Sequence, residues 1–275
     1  MKVALIQFNA TADKSDNIRR AAEFVEQAAA KRATWVLLPE VFNFRGDIRN
    51  KDILQQACER IPGETTETFL KLAGRRKVDI LLGSLLEKAA PSKAYNTSVA
   101  ISGSSGEIAK YRKIHLFDAR VGDKIIGESE TMTAGQRLQK ITVGEFKAGL
   151  SICYDLRFPD LYQSYARQGA TVLTVPSCFT RQTGTAHWES LLRARAIENL
   201  CYVLAPGQVG EDTRGMEAYG HSAIVNPWGE IIACGSLDKE EIVYGEISLE
   251  AVKEARRKLP GIVLKWDKVC LSVLK

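Results

Sequence analysis

No apolar stretch in the 275 residues approaches the roughly 20 that a membrane-spanning helix needs, which argues against a membrane protein. The opening MKVALIQFNATADKSDN has a single lysine ahead of a short apolar run, and polar residues break that run before a secretory core could form. A cytoplasmic setting is the expectation. Cysteine is sparse and scattered: Cys58, Cys153, Cys178, Cys201, Cys234 and Cys270 show no C-x-x-C spacing. That pattern argues against a zinc site and against a disulfide framework, so reduced thiols are expected. Histidine is scarcer still. His115, His187 and His221 have no i, i+4 pairing, and no metal is expected. No Lys/Arg block is interleaved with aromatics, and a net charge of +5 is modest for this length. Nucleic-acid and membrane partners are therefore not expected, and the surplus charge at most favours small anionic substrates. Low-complexity tracts and internal repeats are absent as well.

What is present is an ordinary globular composition, 45% hydrophobic and 26% charged, in a chain long enough to bury a substantial core. A single domain over residues 1–275 is expected. KVALIQF reads as a buried strand, and NIRRAAEFVEQAAAKR as an amphipathic helix with Ile18, Ala22, Val25 and Ala29 on one face. TWVLLPE and DILLGSLLE read as further strands on either side of the helix TETFLKLAGRRK. AYNTSVAIS and GEIAKYRK, joined by GSSG, read as a hairpin. After residue 146 the strand and helix alternation resumes with FKAGLSIC, DLYQSYARQG, ATVLTVPS and AHWESLLRARAIENL. The strands CYVLAPGQ, HSAIVNP and EIVYGEIS follow. Strands this rich in Val, Ile and Leu are buried on both faces, so helices should cover one side of each sheet and a second sheet the other. Arg112 to Arg137 lacks periodicity and reads as a long loop, a feature usually tied to function.

Ligands of open α/β sheets collect beyond the carboxyl ends of strands. Glu40 follows WVLLP, Lys113 follows the strand ending KYR, and Cys153 follows GLSI. A thiol with an ordinary pKa of about 8.5 is only a few per cent thiolate at neutral pH, so a catalytic cysteine needs a base or a nearby cation. Glu40 can supply the first and Lys113 the second. Taken singly each residue has an ordinary use: cysteines pack, lysines are solvated, and a glutamate after a strand often caps a helix. A Cys/His pair is the rival arrangement, and spacing excludes none of the three histidines.

LLPE around Glu40, YRKIHLFD around Lys113 and GLSICYDLRFPD around Cys153, at separations of 73 and 40 residues, together resemble the nitrilase superfamily of carbon–nitrogen hydrolases. Within it, GESETMTAG, GTAHWESLLRARAIEN and YGHSAIVNPWGEI resemble the Nit branch of omega-amidase-like proteins. LLRARAIENLCYV and ESETM look most like its deaminated-glutathione amidases.

The resemblance implies an αββα sandwich that pairs as a homodimer through its outer helices, with the segment from about residue 250 helping. It implies Cys153 as nucleophile, Glu40 as general base, Lys113 as stabiliser of the tetrahedral intermediate, and Glu128 as a second glutamate beside them. The amide of Tyr154 would be a further oxyanion donor, and no cofactor is required. Phe179 and Thr180, past TVLTVPS, should line the pocket. Arg157 would either hold a substrate carboxylate or pair with Asp155 or Asp160.

The substrate so implied is a small carboxylate-bearing amide, with deaminated glutathione first. Alternatives are α-ketoglutaramate, and a nitrile or carbamoyl compound handled by the same residues. A thiol redox protein using Cys153, with Cys178 approaching in space, and a non-catalytic module on the same scaffold are readings of other classes.

Overall fold

The structure, a computed structural model, describes residues 1–90, 92–121 and 124–260. The first half runs β1 (Lys2–Gln7), α1 (Lys14–Ala30), β2 (Trp35–Leu37), α2 (Lys51–Ala57), α3 (Glu64–Arg76), β3 (Asp79–Ala90), β4 (Lys93–Ile101) and β5 (Ile108–Arg112). A small hairpin, β6 (Asp118–Val121) and β7 (Lys124–Gly127), and the short helix α4 (Glu128–Thr131) follow. The second half runs β8 (Lys140–Val143), β9 (Phe146–Leu150), α5 (Pro159–Arg167), β10 (Val172–Thr174), α6 (Arg181–Thr183), α7 (Glu189–Asn199) and β11 (Tyr202–Ala205). It closes with β12 (Val209–Glu211), β13 (Glu217–Tyr219), β14 (Ala223–Val225), β15 (Ile231–Cys234), β16 (Glu241–Glu246) and α8 (Leu249–Lys258).

Two six-stranded sheets form, ordered β16-β1-β2-β3-β4-β5 and β15-β14-β11-β10-β9-β8. Each has three parallel strands at its centre, β1-β2-β3 and β9-β10-β11, with antiparallel strands on either side. Alternation of side chains along β1 divides the core. Val3 and Leu5 face the second sheet and join Leu150, Leu173 and Val203. Ala4 and Ile6 face outward onto Ile18 and Val25 of α1 and Phe69 of α3. Tyr162 and Tyr165 of α5 and Leu192 of α7 cover the second sheet. The chain is the expected αββα sandwich.

Local signals explain the helix ends. Asp13 caps α1 by accepting from the Asp16 N–H at 3.0 Å, and Pro159 opens α5 where no amide donor is needed. The helix expected from AHWESLLRARAIENL begins with a π-helical turn at Gly184–Trp188 before α7. The described part of the segment expected to aid pairing is α8, whose Val252 is buried in the core between α8 and the second sheet. Residues 261–275, with Cys270, lie outside the described residues. Among the described residues no helix is long and apolar enough to cross a membrane.

Candidate active site

Glu40 stands just past the end of β2. Its neighbour Val41 has φ 49°, an uncommon state for a β-branched residue, and is held by its N–H donating to Ser84 Oγ at 2.8 Å. Gly83 is what lets β3 lie so close: a Cβ there would come within 2.0 Å of the Leu38 carbonyl oxygen. Lys113 leaves β5 with its N–H donating to the Asn96 carbonyl at 2.8 Å. Its own carbonyl accepts from the Gly135 N–H at 2.7 Å, an approach possible only because Gly135 has no side chain.

Cys153 follows β9 at the start of a 3-10 turn, Cys153–Arg157, with φ 48°. Its N–H donates to the Pro176 carbonyl at 2.9 Å, which ties it to the end of β10. A left-handed residue at this point turns the chain abruptly, so the strand ends with the sulfur at the rim of the sheet.

The four side chains meet in one buried cluster. Lys113, 1% exposed, places Nζ 3.0 Å from Glu40 Oε1 and 2.9 and 2.8 Å from the two Glu128 oxygens. Its three N–H groups thus face three carboxylate oxygens. Glu128 also accepts from the Phe117 N–H at 2.8 Å, and Glu40 Oε2 accepts from the Cys178 N–H at 2.9 Å.

Burial by itself would lower the Lys113 pKa, but the charges of Glu128 and Glu40 outweigh it and hold the ammonium well above its ordinary range. Burial and the Glu40 charge push the Cys153 thiol well up, with Lys113 opposing. Desolvation raises Glu128, against the pull of Lys113. The resting centre is therefore a thiol beside an ammonium and two carboxyl groups.

A cavity of about 430 Å³ opens onto it, lined by Glu40, Glu128, Cys153, Phe117, Phe179 and Thr180 on the near side. Arg45, Arg49 and Arg214 stand among its farther wall. Arg49 is paired with Asp47 and Arg214 with Asp212. Arg45 instead donates to the carbonyls of Val209, Gly210 and Met216, so it ties the β12–β13 hairpin onto the cavity.

Phe179 and Thr180 both line this cavity. Arg157 lies outside the lining. Of the two roles weighed for it, the ion pair with Asp155 or Asp160 does not form: the guanidinium sits 3.3 Å from His187 Nδ1 and over the rings of Tyr154 and Phe179. Asp155 is fully taken up by the Tyr111 hydroxyl, the N–H groups of His115 and Ile152, and His115 Nδ1 at 2.8 Å. Tyr154 is not itself in the lining and packs its ring against Phe117, which is, and against Phe158.

The Cys/His rival finds no support in the geometry: among the described residues no histidine lines the cavity with Cys153, and the Nδ1 atoms of His115, His187 and His221 face Asp155, Arg157 and the Gly235 carbonyl. Among the described residues no three His, Cys, Asp or Glu side chains are grouped to hold a metal ion. Sequence reading missed Asn96, whose Nδ2 donates to Glu40 Oε1 at 2.9 Å, and the Cys178 amide. Asparagine inside the strand AYNTSVAIS, where it is disfavoured, was the available signal for the first.

A family model described as carbon-nitrogen hydrolase matches residues 2–257. An omega-amidase from Homo sapiens is 39% identical over 260 residues, covering 94% of this chain and 92% of that protein. A deaminated glutathione amidase from Synechocystis is 40% identical over 265 residues, covering 94% and 96%. Among solved structures, Nit3 of Saccharomyces cerevisiae, a nitrilase superfamily member, superposes with a TM-score of 0.85 at 33% identity, covering 98% of this chain and 96% of that one. The NitFhit protein of C. elegans gives 0.86 at 36% identity, covering 94% of this chain and 63% of that one.

Proposed function

The chain belongs to the carbon–nitrogen hydrolase family, as a hydrolase of carbon–nitrogen bonds other than peptide bonds, and on that premise we propose how its own residues carry out amide hydrolysis. The observation that carries the reading is the buried convergence of Glu40, Lys113 and Glu128 on one cavity with Cys153.

Cys153 Sγ attacks the amide carbonyl carbon while Glu40 takes the thiol proton. Negative charge passes from Glu40 to the carbonyl oxygen. As Glu40 is neutralised its hold on Lys113 slackens, and an ammonium N–H turns to the new oxyanion together with the Tyr154 amide. The C–N bond then breaks, and Glu40 returns the proton to the leaving nitrogen. A thioester remains on Cys153. Water gives a proton to Glu40 and attacks the thioester carbonyl, and collapse releases the carboxylic acid and restores the thiol. Glu128 keeps Lys113 charged and in place throughout.

Deaminated glutathione is the proposed substrate. The cavity continues past Cys153 to the arginine-bearing wall, which gives room for a peptide-like leaving group as well as the acyl part. α-Ketoglutaramate, which releases only ammonia, is the second reading, favoured by the likeness to the human omega-amidase. Specificity constants for the two measured side by side decide between them. A higher kcat/KM for deaminated glutathione is expected, and a clear preference for α-ketoglutaramate would reverse the assignment.

A homodimeric, cytoplasmic protein belongs to the same proposal. Ile197 on α7 and Trp228 next to it are exposed on the outer face, and the described cysteines carry free thiols, as a reducing compartment requires. A monomer in sedimentation at working concentration would remove the pairing.

A further inference from the structure

Glu40 Oε1 receives two donors, Lys113 Nζ at 3.0 Å and Asn96 Nδ2 at 2.9 Å. A carboxylate oxygen offers about two lone-pair sites, so Oε1 is filled. Oε2 receives one, the Cys178 N–H, and keeps one site open. Cys153 lines the same cavity as Glu40, whose charge acts on its thiol.

We propose that Asn96 is a positioning residue: with Lys113 it saturates Oε1, fixes the rotation of the Glu40 carboxylate, and confines proton transfer with Cys153 to Oε2. The inference rests on Glu40 acting as the base, as proposed above.

Two further observations support it. Asn96 is 1% exposed, and its backbone carbonyl accepts from the Lys113 N–H, so one residue sets the place of both the base and the ammonium. Its Oδ1 is buried with no donor among the described residues. Leaving an amide oxygen buried and unmet costs stability, so stability gives no reason for asparagine here. The half that is met points at Glu40. Buried polar groups kept against stability belong to functional sites.

The charged and titratable groups facing the Asn96 amide are Glu40 and Lys113, with Glu128 and Cys153 behind them. Glu87, Lys110 and Arg112 are joined to one another on the opposite face of β4, beside Thr97.

The test compares Asn96→Ala, Asn96→Asp and Glu40→Gln with the native enzyme, reading kcat and KM for the amide substrate across acid to mildly alkaline pH. Asn96→Ala should lower kcat by about 10–100-fold with KM almost unchanged, because the base loses its alignment while the binding wall is untouched. Asn96→Asp should be active at acid pH, where the two carboxyl groups share one proton and the introduced O–H donates to Oε1 as the amide does. As pH rises that proton is lost, two like charges face each other, and activity should fall along a limb absent from the native enzyme and from Asn96→Ala.

A purely structural Asn96 would give both variants pH-independent losses, and that result would overturn the proposal. So would native kcat in Asn96→Ala, which also serves as the second variant should the introduced carboxyl prevent folding. Native turnover in Glu40→Gln would instead remove the base itself, a failure distinct from that of Asn96.

Discussion

Cys153 is stored as a thiol. Burial and the Glu40 carboxylate push its pKa well above the ordinary range, and Lys113 only partly opposes them. In the proposed mechanism the thiol is therefore activated by proton transfer during attack, which leaves Lys113 free to act where charge develops, at the oxyanion. Replacing Lys113 by Met keeps most of the stem and removes the charge, and losing one oxyanion donor typically costs about 10²–10³ in rate. That loss should appear in kcat with KM little altered. Native rate at saturating substrate would show that the ammonium serves binding alone. At this scale the residues at strand ends, Glu40, Lys113 and Cys153, were legible as candidates. Asn96 was not, because its role depends on a contact 56 residues away in the chain.

Strands β3, β4 and β5 hold Lys113 in place, and their register is clamped by Glu87. From β3 it accepts from Thr97 Oγ1 of β4 at 2.8 Å and from Lys110 and Arg112 of β5 at 2.8–2.9 Å. Burial alone would raise its pKa, but the bonds from Arg112, Lys110 and Thr97 outweigh this and hold it at about 2. A depressed folded-state pKa means the contribution is present above the unfolded value, near 4.5, and is lost as pH falls toward 2. Glu87→Gln should therefore lower stability at neutral pH by about 1–3 kcal/mol, and in urea melts the gap to the native protein should close between pH 4.5 and 2. An unchanged gap across that window would contradict the clamp. Elements of this length were legible from periodicity. The stretch from Arg112 to Arg137, expected as a loop, contains β6, β7 and α4, and each is only four residues long. Four residues carry too little alternation to be read. The short β12 and β13 were missed for the same reason.

The active centre belongs to the whole molecule. Glu40, Asn96 and Lys113 come from the first sheet, Cys153 and the Cys178 amide from the second, and the bond from Cys178 N–H to Glu40 Oε2 spans 138 residues of chain. The αββα layering was legible because strands apolar on both faces require two coverings. The facing of the two carboxyl ends was not, since no local signal says how one sheet sits on another. The central claim, covalent catalysis across that junction, is tested most directly by intact mass of the protein quenched during turnover of deaminated glutathione. The account predicts an adduct equal to the acyl part of the substrate, located on Cys153 and absent from inactive Cys153→Ala. Turnover without any adduct, with Cys153→Ala retaining activity, would contradict it.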